Sequence, residues 1–593
     1  MIGFGIFGSL LFLIMLAVLE LNKNTVLGFL LLLAVTVGFA VLFLKVLHGG
    51  KWYWKALGWL GWIGAFVLIL LLTWPPMKRV PAYEDSTPTY TETVSLEKGD
   101  VRGVVIDEGR VELYAGIPYA KPPVGDLRWR EPQDPDAWEG VLTADHFAPM
   151  CMQPVELPIV SSLKQIIGYH DYKISLSDNY RPAVSEDGLY VNVWKPAGKV
   201  EDLPVLVYIH GGTLQTGQPW YGDYAGTGLA REGVIVVNLG YRLGVFGYLA
   251  DEGLRAESEH GTTGNYGLLD QIKALEWVRD NIAAFGGDPS NITLAGESAG
   301  AASVSAICTS PRASGLFQRV LLESSTVASV EPPHSFRSYD DAIASGNELK
   351  ARYHVRTPEE LRALDAKTIV NEAYTQHFMT VDGYALTETP YESYKKGVHN
   401  EQAILHGYNS EESGPFLILG DANMKNYEQR VRSYFKEHAD DVLRVFAPTT
   451  DEQAKEMWAA IYGAVFFNYP HYCLNRLAVE NGIPVWEYYF SKHNGRLGAW
   501  HSGELIYFYG NLPENSKLFD EADYALEKNI KGYIINFMKT GDPNGAGLPA
   551  WENNADSARL LELGETTAMT DEKYLALYAI MDRMTGWGTQ PAE

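Results

Sequence analysis

The sequence predicts an α/β fold, a mostly parallel central sheet with helices on both faces and a helical cap, preceded by three transmembrane α-helices. Three observations predict it. Residues 2–21, 25–44 and 56–74 are apolar runs whose only charge is Glu20. The body beyond them alternates short β-branched runs with segments of helical hydrophobic spacing. Between one such run and a stretch of small residues lies the turn Gly296-Glu297-Ser298-Ala299-Gly300.

Each apolar run is close to the ~20 residues an α-helix needs to cross a bilayer. The first lacks a basic leading segment and a small-residue cleavage site, so it reads as a span rather than a removable signal. Trp52, Trp54, Trp59, Trp62 and Trp74 cluster around the third run, and those near its ends suit interfacial belts. Lys45, Lys51 and Lys55 are concentrated between the second and third runs, against Lys23 in the first loop and Lys78 and Arg79 after Trp74. Positive charge favours the cytoplasmic side, which puts that middle loop and the amino terminus inside and everything beyond Trp74 outside. Prolines 75, 76, 81 and 88 oppose helix and make 75–93 a linker. The expected organisation is a membrane anchor over 1–80, a linker over 81–94 and a globular domain over 95–593.

Charge follows the same division. The 593 residues carry a net charge of -25. The first 80 hold six basic side chains and one acid, so the remainder has 42 basic against 72 acidic residues and a net charge of -30. A body that acidic repels a phosphate backbone, which argues against a nucleic-acid partner. The three cysteines, Cys151, Cys308 and Cys473, form no CxxC or Cys/His cluster. That excludes a disulfide framework and argues against structural zinc.

In the body, residues 203–209 form an apolar run that ends at His210-Gly211-Gly212. Further strand-like runs follow at 234–239, 292–295, 320–322, 403–405 and 485–490. Leu268, Leu269, Ile272, Leu275, Val278 and Ile282 recur at helical spacing. This alternation implies a largely parallel sheet. Amphipathic helices such as 359–375 and 451–464 are expected to form a cap over its carboxyl edge.

The Gly296–Gly300 turn is a G-x-S-x-G match in the strand–turn–helix setting that a nucleophile elbow requires. A serine hydroxyl needs a base to become a useful nucleophile. The oxyanion that its attack creates needs donors. The turn at Gly211, Gly212 and Thr213 follows a strand upstream and offers backbone N–H groups to join that of Ala299.

Longer stretches carry a family resemblance. Residues 285–300 (FGGDPSNITLAGESAG) resemble the serine signature of type-B carboxylesterases, the cholinesterase-like branch of the α/β-hydrolases. Residues 185–196 (SEDGLYVNVWKP) resemble that family's second signature. Residues 115–125 (AGIPYAKPPVG) and 536–551 (NFMKTGDPNGAGLPAW) resemble its amino- and carboxyl-terminal motifs. The resemblance covers residues 95–570 and leaves the apolar runs outside. It implies a catalytic triad of Ser298, Glu412 (in ILHGYNSEESGPF) and His501 (in GAWHSGELIY), with Glu411 the neighbour that could be confused with the acid. The chain order Ser, Glu, His is the one α/β-hydrolases use. Glu504 and Ser324 resemble residues that orient the site.

Two departures stand out. Gly188 occupies the place where the family signature has cysteine, so Cys151, similar to that cysteine's partner, has nothing to pair with. The resemblance puts the loop between them, 152–186, at the entrance of the active site. Thr213 replaces the family's glycine or alanine in the oxyanion turn.

The implied activity is hydrolysis of a small-molecule carboxylic ester with no metal or organic cofactor. The expected location is a bacterial inner membrane, the chain an integral protein with its catalytic domain extracytoplasmic. Two rival readings are a lipid hydrolase fed from the membrane and an inactive adhesion or scaffold protein of the same fold. The sequence does not fix the ester or the oligomeric state.

Overall fold

The computed structural model describes residues 2–83, 87–167, 174, 179–372, 377–417, 420–493, 498–514 and 516–587. The chain divides into two compact units, Met1–Val80 with Val155–Val184, and Pro81–Pro154 with Ser185–Glu593. The first unit therefore takes in a stretch that lies, in sequence, within the globular domain.

In the first unit the apolar runs become three helices, α1 (Ile2–Leu21), α2 (Val26–Leu42) and α3 (Trp52–Leu72). A π-helical turn, Phe43–Leu47, extends α2. Two stretches, Val26–Leu47 and Trp52–Leu72, are long and apolar enough to cross a membrane, whereas the first counts as a shorter apolar helix over Gly5–Leu21. Of the three expected spans, the described residues give two candidates by length and composition. The helices pack through Met15, Leu19, Leu32, Phe39, Trp62 and Ile69. Phe39 stacks on Trp62 at 5.0 Å. Where α1 ends, the polar groups are paired among themselves. Asn24, fully buried, donates to the Leu70 carbonyl and to Thr73 Oγ1, each at 2.9 Å, and accepts from Asn22 at 2.7 Å. Orphaned amides are costly in an apolar setting, so this closed set ties the α1–α2 turn to the end of α3.

The rest of the first unit is an excursion from the body. Helix α4 (Pro158–Ile167) contacts α1, and Ser162 Oγ donates to the Leu21 carbonyl at 2.7 Å. The returning chain pairs in parallel with the segment after α3, Met77 with Arg181 and Lys78 with Pro182.

The second unit is built on a twelve-stranded sheet. Its strands are β1 (Thr89–Tyr90), β2 (Val104–Ile106), β3 (Val111–Pro118), β4 (Tyr190–Pro196), β5 (Leu203–Ile209), β6 (Ile235–Leu239), β7 (Gly287–Glu297), β8 (Arg319–Glu323), β9 (Ala403–Asn409), β10 (Val485–Phe490), β11 (Arg559–Leu563) and β12 (Thr567–Asp571). The order across the sheet is β12-β11-β10-β9-β8-β7-β5-β6-β4-β3-β2-β1. Every pairing from β6 through β5 and β7 to β11 is parallel, and the flanking pairs are antiparallel. Parallel strands are covered on both faces, which explains why β5 and β6 read as nearly continuous apolar runs rather than alternating ones. Helix α5 (Tyr266–Asn281) and helix α6 (Ala299–Ile307) bury nearly all their residues, as helices packed on such a sheet must.

One expected cap element differs. The helix expected over 359–375 breaks into Pro358–Arg362 and Ala366–Glu372, and residues 373–375 lie outside the described residues. The cause is Asp365, whose carboxylate accepts from the Thr368 N–H at 2.9 Å and from its hydroxyl at 3.0 Å. It caps a new helix instead of continuing the old one. The helix expected over 451–464 is α7 (Asp451–Gly463), continued by a π-helical turn, Ala464–Asn468.

Candidate active site

Ser298 sits between the end of β7 and the first residue of α6, with φ 55° and ψ -127°. No ordinary L-residue conformation matches those angles, and strain of this kind costs on the order of 1–3 kcal/mol. The surroundings hold it there. The Ser298 N–H donates to the Glu323 carbonyl on β8 at 2.8 Å, and its carbonyl accepts from Ala302 in α6 at 2.9 Å. Gly300 is required by proximity, because a Cβ at that position would lie 2.0 Å from the Ile209 carbonyl oxygen of β5. The hydroxyl is thereby raised above the carboxyl end of the sheet, where β7 and its neighbours β5 and β8 end together.

His501 and Glu412 meet it from loops after two other strands. His501 Nε2 lies 2.9 Å from Ser298 Oγ, and His501 Nδ1 lies 2.6 Å from Glu412 Oε2. Glu412 Oε1 accepts from the Asn409 N–H at 2.7 Å, where β9 ends. All three side chains are almost fully buried. Glu411, one residue earlier, points elsewhere: it is partly exposed and pairs with His493 at 2.9 Å. The structure therefore brings together Ser298, Glu412 and His501 and leaves Glu411 out.

The turn at Gly211, Gly212 and Thr213 packs on the serine. A Cβ added to Gly211 would come within 2.9 Å of the Ser298 Cβ, so only glycine permits this approach. Ala299 begins α6, and its N–H has no partner within the helix. Thr213 adopts φ 57°, a left-handed conformation that a β-branched residue rarely takes, and its side chain is exposed. Its hydroxyl donates to the Gly212 carbonyl at 2.7 Å. His210, at the end of β5, is buried, and that burial holds its imidazole near a pKa of 4, neutral at physiological pH.

Behind the three residues lies a layer of carboxylates. Ser324 Oγ donates to Glu504 Oε1 at 3.0 Å. Asn409 bonds both the Trp500 carbonyl, at 2.8 Å, and Glu504. Burial pushes Glu504 up to about 8, helped by the charges of Glu412 and Glu297. Sequence reasoning missed Glu297. It precedes Ser298, its Oε1 lies 3.2 Å from His501 Nε2, and it accepts from Ser502 Oγ at 2.6 Å. Its position inside the serine motif was the available signal. Burial raises its carboxyl pKa, and the positive charge of His501 pulls it back. For His501, burial works to lower the imidazole pKa, but Glu297 and Glu412 outweigh it and hold it up at about 9.

Two aromatic rings border the imidazole. The Phe467 and Phe416 centroids lie 4.7 and 5.2 Å from that of His501. Phe467 comes from the π-helical turn after α7, a local widening that often marks functional sites. A buried serine hydroxyl, an imidazole shared with a carboxylate and an apolar wall together suit attack on a neutral carbonyl compound.

Comparison with known proteins agrees with this chemistry. Residues 90–579 match the model of the carboxylesterase family. The chain is 31% identical over 494 residues to a fumonisin B1 esterase of Sphingopyxis macrogoltabida, covering 79% of this chain and 85% of that protein. It is 32% identical over 493 residues to a para-nitrobenzyl esterase of Bacillus subtilis, covering 79% and 95% respectively. Among solved structures, a Geobacillus stearothermophilus carboxylesterase superposes with a TM-score of 0.70 at 31% identity, covering 83% of this chain and 100% of that one.

Proposed function

The chain belongs to the carboxylesterase family and is a serine hydrolase of carboxylic esters, and from that premise we propose that Ser298, His501 and Glu412 do the chemistry in a membrane-anchored enzyme. The observation that carries the reading is the unbroken chain of contacts from Ser298 Oγ through the His501 ring to Glu412. His501 Nε2 takes the hydroxyl proton as Ser298 attacks the ester carbonyl. Glu412 holds the Nδ1–H tautomer and stabilises the imidazolium. The backbone N–H groups of Gly212, Thr213 and Ala299, with Gly211 shaping the turn, receive the oxyanion. His501 then protonates the departing alcohol, and water attacks the acyl-enzyme by the same route in reverse. Glu504 and Ser324 act through Asn409 and β9 as positioning residues.

The anchor is the amino-terminal apolar unit. Residues 1–80 hold the chain in a membrane, 81–94 link, and 95–593 form the esterase, on the extracytoplasmic side of a bacterial inner membrane. Support comes from the two helical stretches long enough to span and from the lysines between them. The catalytic part is tested with detergent-solubilised full-length protein and a short p-nitrophenyl ester. Ser298→Ala should lower kcat by roughly 10⁴–10⁶-fold. A variant as active as the parent would remove Ser298 from the mechanism. Retention of the protein in a carbonate-washed membrane fraction checks the anchor, and release into the wash would refute it.

A further inference from the structure

The excursion Val155–Val184 packs with the apolar helices although it is flanked on both sides by residues of the esterase body. In its helix, α4, Ser162 is buried and donates to the carbonyl of Leu21, the last residue of α1, whose C=O has no partner within its own helix. This fixes α4 at the end of the bundle where Asn22, Asn24 and Thr73 lie, beyond the apolar length of the helices. Leu157, Val160, Leu163 and Ile166 recur every third residue with 54, 38, 42 and 40% of their surface exposed, a ridge that winds along the helix with Val160 and Leu163 turned away from the Ser162 contact. Ser161, on the opposite flank of the helix from Leu163, is also exposed.

The groups around this end are those that favour a membrane boundary. Arg181, on the returning strand, lies over the Trp74 ring at 5.7 Å, and Lys78 lies 4.0 Å over the Tyr180 ring. Aromatic rings with basic partners at the end of an apolar helix match the headgroup level, where each has an apolar body and a polar tip to satisfy. An apolar edge on a helix held at that level would be covered by acyl chains.

We propose that α4 is an interfacial helix, lying at the headgroup boundary with Leu157, Val160, Leu163 and Ile166 in contact with lipid. The proposal rests on the membrane reading of α2 and α3. Its partner is the bilayer surface, argued from continuity: α4 packs on α1, and α1 and α2 expose apolar side chains of their own, Leu13 and Leu33 among them. The helix thus makes a part of the esterase sequence a membrane contact.

The test is nitroxide scanning of the full-length protein in phosphatidylcholine–phosphatidylglycerol nanodiscs. Native Cys151, Cys308 and Cys473 are buried and do not interfere in the folded protein. Labels are placed at Leu163→Cys, Ile166→Cys, Ser161→Cys and, as a reference in the span, Leu33→Cys. Activity on a soluble ester confirms that each variant is folded. The expected result is that labels at 163 and 166 collide with oxygen several-fold more than with a water-soluble nickel chelate, as at 33, while the label at 161 meets the nickel. If 163 and 166 meet nickel as 161 does while 33 reads hydrocarbon, α4 faces water and the proposal fails alone. Exclusion of both reagents at 163 and 166 would mean a protein partner, and it too would overturn the proposal. A label at 33 that meets nickel would bring down the membrane reading itself.

Discussion

His501 Nδ1 lies 2.6 Å from Glu412 Oε2, while the adjacent Glu411 pairs with His493 on the surface. Two neighbouring glutamates thus have opposite expected sensitivities. Glu412→Gln preserves shape but presents an amide where the imidazole needs an acceptor, and kcat should fall by about 10⁴-fold. Glu411→Gln should leave kcat within about twofold, since an exposed pair contributes little. Steady-state kinetics on one ester decides, and the reverse order would move the acid to Glu411.

The pH profile follows from the charges around His501. In the proposed mechanism its neutral form is the base, and neighbouring carboxylates hold its pKa at about 9. As pH falls below that value the imidazole gains a proton, so kcat/KM should decline by about tenfold per unit. Removing a negative neighbour makes the imidazolium less favourable and lowers that pKa. Glu297→Gln should therefore shift the acid limb to lower pH. An unmoved limb would mean that Glu297 carries no charge in the working enzyme.

Thr213 stands at φ 57° in the oxyanion turn. A left-handed conformation costs a side-chain-bearing residue roughly 1–2 kcal/mol, part of which glycine returns as entropy lost on folding. Thr213→Gly keeps the N–H and gives up only the hydroxyl bond to Gly212. Thermal inactivation should slow modestly, with kcat/KM changed by less than about tenfold. A loss of about 100-fold, the size expected for a missing oxyanion donor, would show that the threonine side chain sets the turn's shape.

Cysteine chemistry gives a further check. All three thiols are free and buried, and burial pushes each upward in pKa. A disulfide-exchange reagent should titrate none in the native protein and all three in urea. Gly188 packs so closely that a Cβ would meet Cys151 Sγ at 2.6 Å and its Cα at 3.0 Å. Gly188→Ala should destabilise by about 1–3 kcal/mol through overpacking, visible as a lowered unfolding midpoint.

The contrast between sequence and structure follows the range of the interactions. The elbow at Ser298 was legible because strand, turn and helix are contiguous and each glycine has a local reason. Ser298, Glu412 and His501 lie 89 to 203 residues apart. No periodicity links them, and only the resemblance to a family did. Glu297 was on the page as a letter of the motif, but its contact with His501 needed the fold. The pairing of Met77–Lys78 with Arg181–Pro182 was illegible, since two-residue strands carry no pattern. The break at Asp365 was missed because an apolar stripe outweighed an Asp-x-x-Thr cap.

The chain passes between its two compact units three times, near residues 80, 154 and 184. A protease that nicks the proline-rich linker would cut the one covalent passage from the apolar helices, and only the packing of Val155–Val184 with them would still hold the esterase body. A single cleavage therefore sheds the esterase only if that packing also comes apart. A truncation that starts at residue 81 would remove α1 from α4 and uncover the side of the helix that carries Ser162. A well-behaved soluble form needs two excisions, the amino-terminal 80 residues and the excursion from 155 to 184, with the gap bridged between Pro154 and Ser185.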